Sequence, residues 1–128
     1  MSIVGHGIDL VEVARIERLL GEHGDRFLER VFTHGEQAYA RDARRRVEHL
    51  AARFAAKEAV LKALGTGWRH GIAWTDVEVV RDAAGQPGVA LSGEALNWAE
   101  KAGVGGWRLS LSHTAGFAAA SAIALGTD

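Results

Sequence analysis

The alanine-rich run Arg53-Phe54-Ala55-Ala56-Lys57-Glu58-Ala59-Val60-Leu61-Lys62 constrains this chain more than any other stretch. Alanine is the strongest helix former, so the run reads as a packed helix, and its charged members need a reason. At 3.6 residues per turn Glu58 and Lys62 lie one turn apart on one face, while Arg53 and Lys57 form a neighbouring stripe. One helix thus offers one hard oxygen ligand flanked by three cations. That combination suits a polyphosphate with a divalent ion, because Mg²⁺ takes few carboxylates and shares phosphate oxygens with them. Taken alone, Glu58 followed by Lys62 is also the order of an ordinary surface pair worth about 0.2–0.5 kcal/mol.

Length and composition narrow the setting. A chain of 128 residues is expected to form one domain over 1–128, large enough for a real core. The formal charge of −1 and the 48% apolar content describe a soluble globular chain and exclude both a disordered tail and a generally basic nucleic-acid binder. Twelve arginines stand against three lysines, so Lys57 and Lys62 stand out. Cysteine is absent, which excludes disulfides, thiolate metal sites and a thiol nucleophile and fits the cytoplasm. The start Met1-Ser2-Ile3-Val4-Gly5-His6-Gly7 lacks a basic leader with a long apolar core, and no 18 consecutive residues are apolar, so neither export nor a membrane span is expected.

Along the chain, Ile3 to Asp9 reads as a buried strand, with Asp9 as the acidic cap of a helix from about Val11 to His23 whose Val13, Ile16 and Leu20 share one face. Gly24 ends that helix. Asp25 caps a brief one, in which Phe27, Leu28 and Val31 point inward and Arg26 and Arg30 outward. Thr33-His34-Gly35-Glu36 is a capping box opening a helix to about Arg45. The long helix from about Val47 to Leu64 places Leu50, Phe54, Leu61 and Leu64 at core spacing and stops at Gly65. Trp74 to Arg81 reads as a strand, Asp82 to Gly88 as a turn and Val89 to Leu91 as a return strand. Ser92 caps a helix reaching Ala102, and a last hairpin joins Trp107–Ser112 to Phe117–Leu125 through a turn at residues 113–116. This order predicts an α+β fold with a largely antiparallel sheet.

Several motifs fail on inspection. Gly5-His6-Gly7 lacks the third glycine of a dinucleotide fingerprint, since position 10 is Leu10. Gly65-Thr66-Gly67 lacks the Lys and Ser/Thr of a phosphate loop, and no His-Glu-x-x-His is present. Ser112 and His113 are strand neighbours pointing to opposite faces, so they do not form a nucleophile and base.

Gly7-Ile8-Asp9-Leu10-Val11-Glu12, Arg53-Phe54-Ala55-Ala56-Lys57-Glu58-Ala59 with Lys62-Ala63-Leu64-Gly65-Thr66-Gly67, and Ser110-Leu111-Ser112-His113-Thr114 together resemble the holo-acyl-carrier-protein synthases. These are the short members of the 4′-phosphopantetheinyl transferase superfamily. Arg30-Val31-Phe32-Thr33 and Glu36 follow the same pattern, so the likeness spans almost the whole chain. The resemblance implies the fold of that superfamily and a transferase that moves the 4′-phosphopantetheine arm of coenzyme A onto a serine of an apo acyl carrier protein. Adenosine 3′,5′-bisphosphate is released, and the setting is fatty acid biosynthesis. It implies Asp9 and Glu58 as ligands of one Mg²⁺ that also binds the pyrophosphate of coenzyme A. It implies Lys62 at the charge of the transferring or leaving phosphate, Lys57 at a neighbouring phosphate oxygen, and Arg53, His113 and Thr114 at the nucleotide end. The proton of the attacking serine is left to Glu58, a water beside the ion, or another carboxylate such as Glu36. Arg15, Arg18, Arg26 and Arg30 form a cationic rim for the acidic carrier protein. The family is typically a homotrimer, with His113 and Asp9 serving one site from different chains; no nucleic acid and no membrane are implied as partners.

Two other readings use the same residues: a Mg²⁺-dependent phosphohydrolase, which activates water instead of a protein serine, and a non-catalytic module that docks acidic partners through the arginine rim. Nucleic-acid binding through Arg44-Arg45-Arg46 is a weaker third.

Overall fold

The computed structural model describes residues 2–41 and 43–128. The elements run β1 (Ile3–Glu12), α1 (Val13–His23), α2 (Asp25–Val31), α3 (His34–Arg41), α4 (Arg46–Leu64), a 3-10 turn (Trp74–Asp76), β2 (Val77–Arg81), β3 (Pro87–Leu91), α5 (Gly93–Lys101), β4 (Val104–His113) and β5 (Phe117–Gly126). The strands form a three-stranded sheet ordered β1-β5-β4 and a β2-β3 hairpin, antiparallel throughout. This is the expected α+β class.

Small side chains decide where α4 lies. On β5 the alternate residues Ala118, Ala120, Ala122 and Ala124 are buried, and α4 buries Ala51, Ala52, Ala55, Ala56 and Ala59. With little bulk on either surface, helix and sheet approach closely, and larger side chains such as Ile16, Phe32, Leu50 and Leu61 fill the flanks. On β1 the approach is closer still. A Cβ at Gly7 would run into the Ala59 carbonyl oxygen and stand 2.8 Å from the Ala63 nitrogen. Gly5 and Gly7, which read as a broken dinucleotide fingerprint, are therefore the positions where a strand backbone rests on a helix. Asp9 is the next residue on that inward face and arrives beside α4.

Five expectations are corrected. Asp9 is not a helix cap: the β1–β5 ladder continues to Glu12↔Phe117, so the strand runs three residues further and Glu12 precedes the helix. Asp25 is the first residue of α2 instead of its cap, because Gly24, at φ 53°, makes the turn. The third helix ends at Arg41 instead of reaching Arg45, with residue 42 outside the described residues. Trp74 to Asp76 is a 3-10 turn, and the strand begins at Val77. Strands β3 and β4 begin earlier than expected, at Pro87 and Val104. The capping box at Thr33 is present: the Thr33 N–H donates to Glu36 Oε1 at 2.9 Å and the Glu36 N–H to Thr33 Oγ1 at 3.2 Å. Gly65 closes α4 in the left-handed region at φ 77°.

Among the described residues, no helix covers Ile8, Leu10 and Phe117 on the other face of the three-stranded sheet. They point out from it and are 64%, 65% and 49% exposed. On the same face His6 Nε2 and Ser121 Oγ lie 3.0 Å apart across β1 and β5.

Candidate active site

The inward face of β1 and one face of α4 bring two carboxylates together from positions 49 residues apart. Lys62 Nζ donates to Asp9 Oδ1 at 2.9 Å and to the Ile8 carbonyl at 3.0 Å. Glu58 lies one turn before Lys62 and is half-buried. Burial pushes its pKa above the usual carboxylate range; the Asp9 charge adds to that push, while the Trp68 indole, Lys62 and Arg15 pull it back. Trp68 Nε1 is buried without a hydrogen-bond partner. Arg15, exposed on α1, holds its guanidinium carbon 5.4 Å above the Phe54 ring.

The donor set fits a hard divalent ion. Asp9 and Glu58 offer carboxylate oxygens and no soft ligand, and among the described residues no group of three or more His, Cys, Asp or Glu gathers to form a closed all-protein cage. Such a pair leaves coordination positions for phosphate and water, the usual habit of Mg²⁺.

Lys57 does not join this site, contrary to the role at a phosphate oxygen expected for it. Its side chain has no exposed surface: Nζ pairs with Glu36 Oε1 at 2.7 Å and donates to the carbonyls of Trp74, at 3.1 Å, and Val77. All three ammonium donors are used. Glu36 is equally committed, since its Oε2 accepts the Val79 N–H at 2.7 Å. That removes Glu36 from the candidate proton acceptors. The helical spacing placed Lys57 beside Arg53 correctly, but that face is turned into the core.

Arg53, His113 and Thr114 fall in a second cluster. At 100° per residue Arg53 and Glu58 are about 140° apart around α4. Arg53 is 1% exposed, its guanidinium carbon 4.1 Å above the Tyr39 ring and one Nη donating to the His49 carbonyl at 3.3 Å. Its Nε is buried without a partner. Burial first, then the Arg81 charge, lowers its pKa from the ordinary arginine value. The His49 ring stands 5.5 Å from those of Tyr39 and His113. Burial, followed by Arg53, His113 and Arg81, holds the pKa of His49 down. His113 Nδ1 is 3.0 Å from Glu48 Oε2, and the Thr114 N–H donates to the Phe117 carbonyl at 2.9 Å to close the hairpin. A hollow of about 250 Å³ lies against Arg53, lined also by Gly35, Tyr39, Glu78 and Arg81. Two guanidiniums and two imidazoles, balanced locally by Glu48 and Glu78, make a setting for an anion.

The arginine rim is exposed as expected at Arg15, Arg18, Arg26 and Arg30. Arg26 and Arg30 line a hollow of about 450 Å³ with His23 and Phe27. Tyr39, His49, Trp68 and Arg81 escaped the sequence reading, because each is an isolated residue whose neighbours come from distant segments. Only Trp68, directly after Gly65-Thr66-Gly67, carried a local signal, as a large aromatic in a glycine loop.

The family model of the 4′-phosphopantetheinyl transferase superfamily matches residues 5–120. The chain is 50% identical over 121 residues to a holo-[acyl-carrier-protein] synthase of Solibacter usitatus, an alignment covering 94% of this chain and 97% of that one. Its fold is similar to the crystal structure of the holo-[acyl-carrier-protein] synthase from Neisseria meningitidis, with a TM-score of 0.89, 35% identity and coverage of 97% and 99%. The Helicobacter pylori synthase in complex with coenzyme A matches with a TM-score of 0.82, 31% identity and coverage of 94% and 99%.

Proposed function

Because this chain belongs to the 4′-phosphopantetheinyl transferase superfamily, we propose that it moves the 4′-phosphopantetheine group of coenzyme A onto a serine of an apo acyl carrier protein, releasing adenosine 3′,5′-bisphosphate. It is an enzyme of the phosphopantetheinyl transferase class. The observation that carries the reading of its chemistry is the meeting of Asp9, Glu58 and Lys62 between β1 and α4.

Asp9 and Glu58 would hold Mg²⁺, which when bound would supply positive charge against the pyrophosphate. Lys62 spends two of its three donors on Asp9 and Ile8; its side chain is half exposed and keeps a third donor for a phosphate oxygen whose charge grows as the bond breaks. Arg53, His113 and Thr114 receive the nucleotide end, and the orphaned Arg53 Nε supports an anionic group, the 3′-phosphate, at that cluster. The nucleophile comes from the carrier protein. Arg15, Arg18, Arg26 and Arg30 steer that acidic partner, which makes association salt-sensitive.

A homotrimer completes the reading. The uncovered Ile8, Leu10 and Phe117 supply an apolar face for association between copies. The separation of the Asp9–Glu58 pair from His113 and Thr114 within one chain matches a site shared between protomers.

The test is direct. Incubation with coenzyme A, Mg²⁺ and an apo carrier protein raises the intact mass of the carrier by one phosphopantetheine unit. Hydrolysis of coenzyme A with no change in carrier mass would overturn the proposal in favour of a phosphohydrolase.

A further inference from the structure

Strand β2 ends at Arg81, where the chain reverses through a tight turn. Asp82 Oδ1 accepts the N–H groups of Ala84 and Gln86, both at 2.9 Å, and Gly85 takes a left-handed φ of 84° that suits glycine. That turn places the Gly85 carbonyl where one Arg81 Nη donates to it at 2.6 Å. The Arg81 side chain is thereby held in one direction, and among the described residues its other guanidinium donors are unspent.

That direction leads to Arg53. The Arg81 guanidinium carbon stands 5.3 Å from the centroid of the Tyr39 ring, and the Arg53 guanidinium carbon stands 4.1 Å from the same centroid. The face of an aromatic ring attracts cations, so one ring gathers guanidiniums from α4 and from β2. All three residues line the hollow of about 250 Å³. Among the described residues, neither guanidinium forms an ion pair with a carboxylate. Glu78, which also lines the hollow, spends its Oε2 on the Thr33 hydroxyl at 2.6 Å. Arg53 is 1% exposed with an orphaned Nε, and a charge is seldom buried without a counter-charge. The hollow is short of an anion.

Resting on the assignment of the nucleotide end of coenzyme A to the Arg53 cluster, we infer that Arg81 is a further substrate-binding residue, which with Arg53 grips the 3′-phosphate and sets the preference for coenzyme A over its 3′-dephospho form. A phosphate monoester carries about two negative charges at neutral pH, which matches two guanidiniums, and its free oxygens accept from both forks at once. A carboxylate or a phosphodiester, with a single charge, would leave one guanidinium uncompensated. Tyr39 is the positioning residue that keeps the two like charges together before the ligand arrives.

The test is the ratio of kcat/KM for coenzyme A to that for 3′-dephospho-coenzyme A, which cancels any loss of folded protein. R81Q lowers that ratio about 10-fold, and R81K, which keeps the charge but not the fork, recovers part of it. An unchanged ratio in R81Q, with the wild-type protein still preferring coenzyme A, overturns the inference and leaves Arg53 as the nucleotide contact. A wild-type ratio of one removes the 3′-phosphate from the cluster and overturns both. Binding is read separately from transfer, by calorimetry in divalent-free buffer: R81Q binds adenosine 3′,5′-bisphosphate about 10-fold more weakly than the wild-type protein. An equal loss for adenosine 5′-monophosphate, which lacks the 3′-phosphate, marks a general electrostatic effect and overturns the inference. Should the chain transfer nothing to a carrier protein, this titration still decides, because equal affinities of R81Q and wild type for the bisphosphate overturn the role of Arg81.

Discussion

Lys57 Nζ stands 2.7 Å from Glu36 Oε1, and neither side chain has exposed surface. A buried ion pair of this kind contributes little over a well-packed apolar pair, but removing one partner strands the other charge. K57M is therefore expected to lower the free energy of urea unfolding by about 3–5 kcal/mol, and E36Q by a comparable amount. The double variant K57M/E36L is expected to lose much less than the sum of the two. A K57M cost below about 1 kcal/mol would contradict the buried-pair account.

Removing either carboxylate of the β1–α4 pair is expected to disable transfer without disturbing the fold. D9N and E58Q should each lower kcat/KM for carrier modification on the order of 10²–10³-fold, with circular dichroism spectra unchanged. Near-normal rates in either variant would remove that residue from the site.

The Glu58 environment carries a pH signature. Its folded pKa lies above the ordinary 4.5, chiefly through burial, so the folded state favours the protonated form. The associated stability is fully present below about pH 4.5 and is lost as pH rises through the raised folded value. In divalent-free buffer E58Q, which never ionises, is expected to be more stable than the wild-type protein at pH 7.5, with the advantage vanishing toward pH 4.5. Urea titrations across that range check the sign.

Two glycines make opposite predictions. G7A introduces a Cβ against the Ala59 carbonyl oxygen and should cost about 1–3 kcal/mol by overpacking, with a fall in transfer because Asp9 moves with the strand. Gly21 sits in α1 with nothing within 4 Å of an added Cβ. G21A is therefore expected to stabilise by about 0.4–1 kcal/mol through helix propensity and a less flexible unfolded chain.

The apolar sheet face predicts assembly. The wild-type protein is expected to sediment at about three times its 13.7 kDa chain mass, and L10E, which places a charge at a 65% exposed leucine, to sediment as a monomer with little transfer activity. A monomeric wild-type protein with full activity would sink the shared-site reading.

Local patterns carried most of the architecture. The capping box at Thr33, the stop at Gly65 and the last hairpin depend on neighbours within a few residues, and the structure contains all three. Asp9 misled because an acidic residue before a helix is normally a cap, and nothing nearby indicates that β5 will carry the pairing on to Glu12. Lys57 misled because helical spacing tells which residues share a face but not which face turns inward. Its burial depends on Glu36 and on the carbonyls of Trp74 and Val77, all remote in the chain.

The order of amino acids was thus enough to specify the kind of fold, the helix bearing the charged face and the residue types suited to a phosphate and a hard cation, because these follow from short-range periodicity and side-chain chemistry. Packing in three dimensions buried Lys57 against Glu36, left Lys62 half exposed and brought Asp9 to Lys62. Those outcomes depend on how closely a glycine-bearing strand and an alanine-rich helix approach, and on which side chains meet once they have done so.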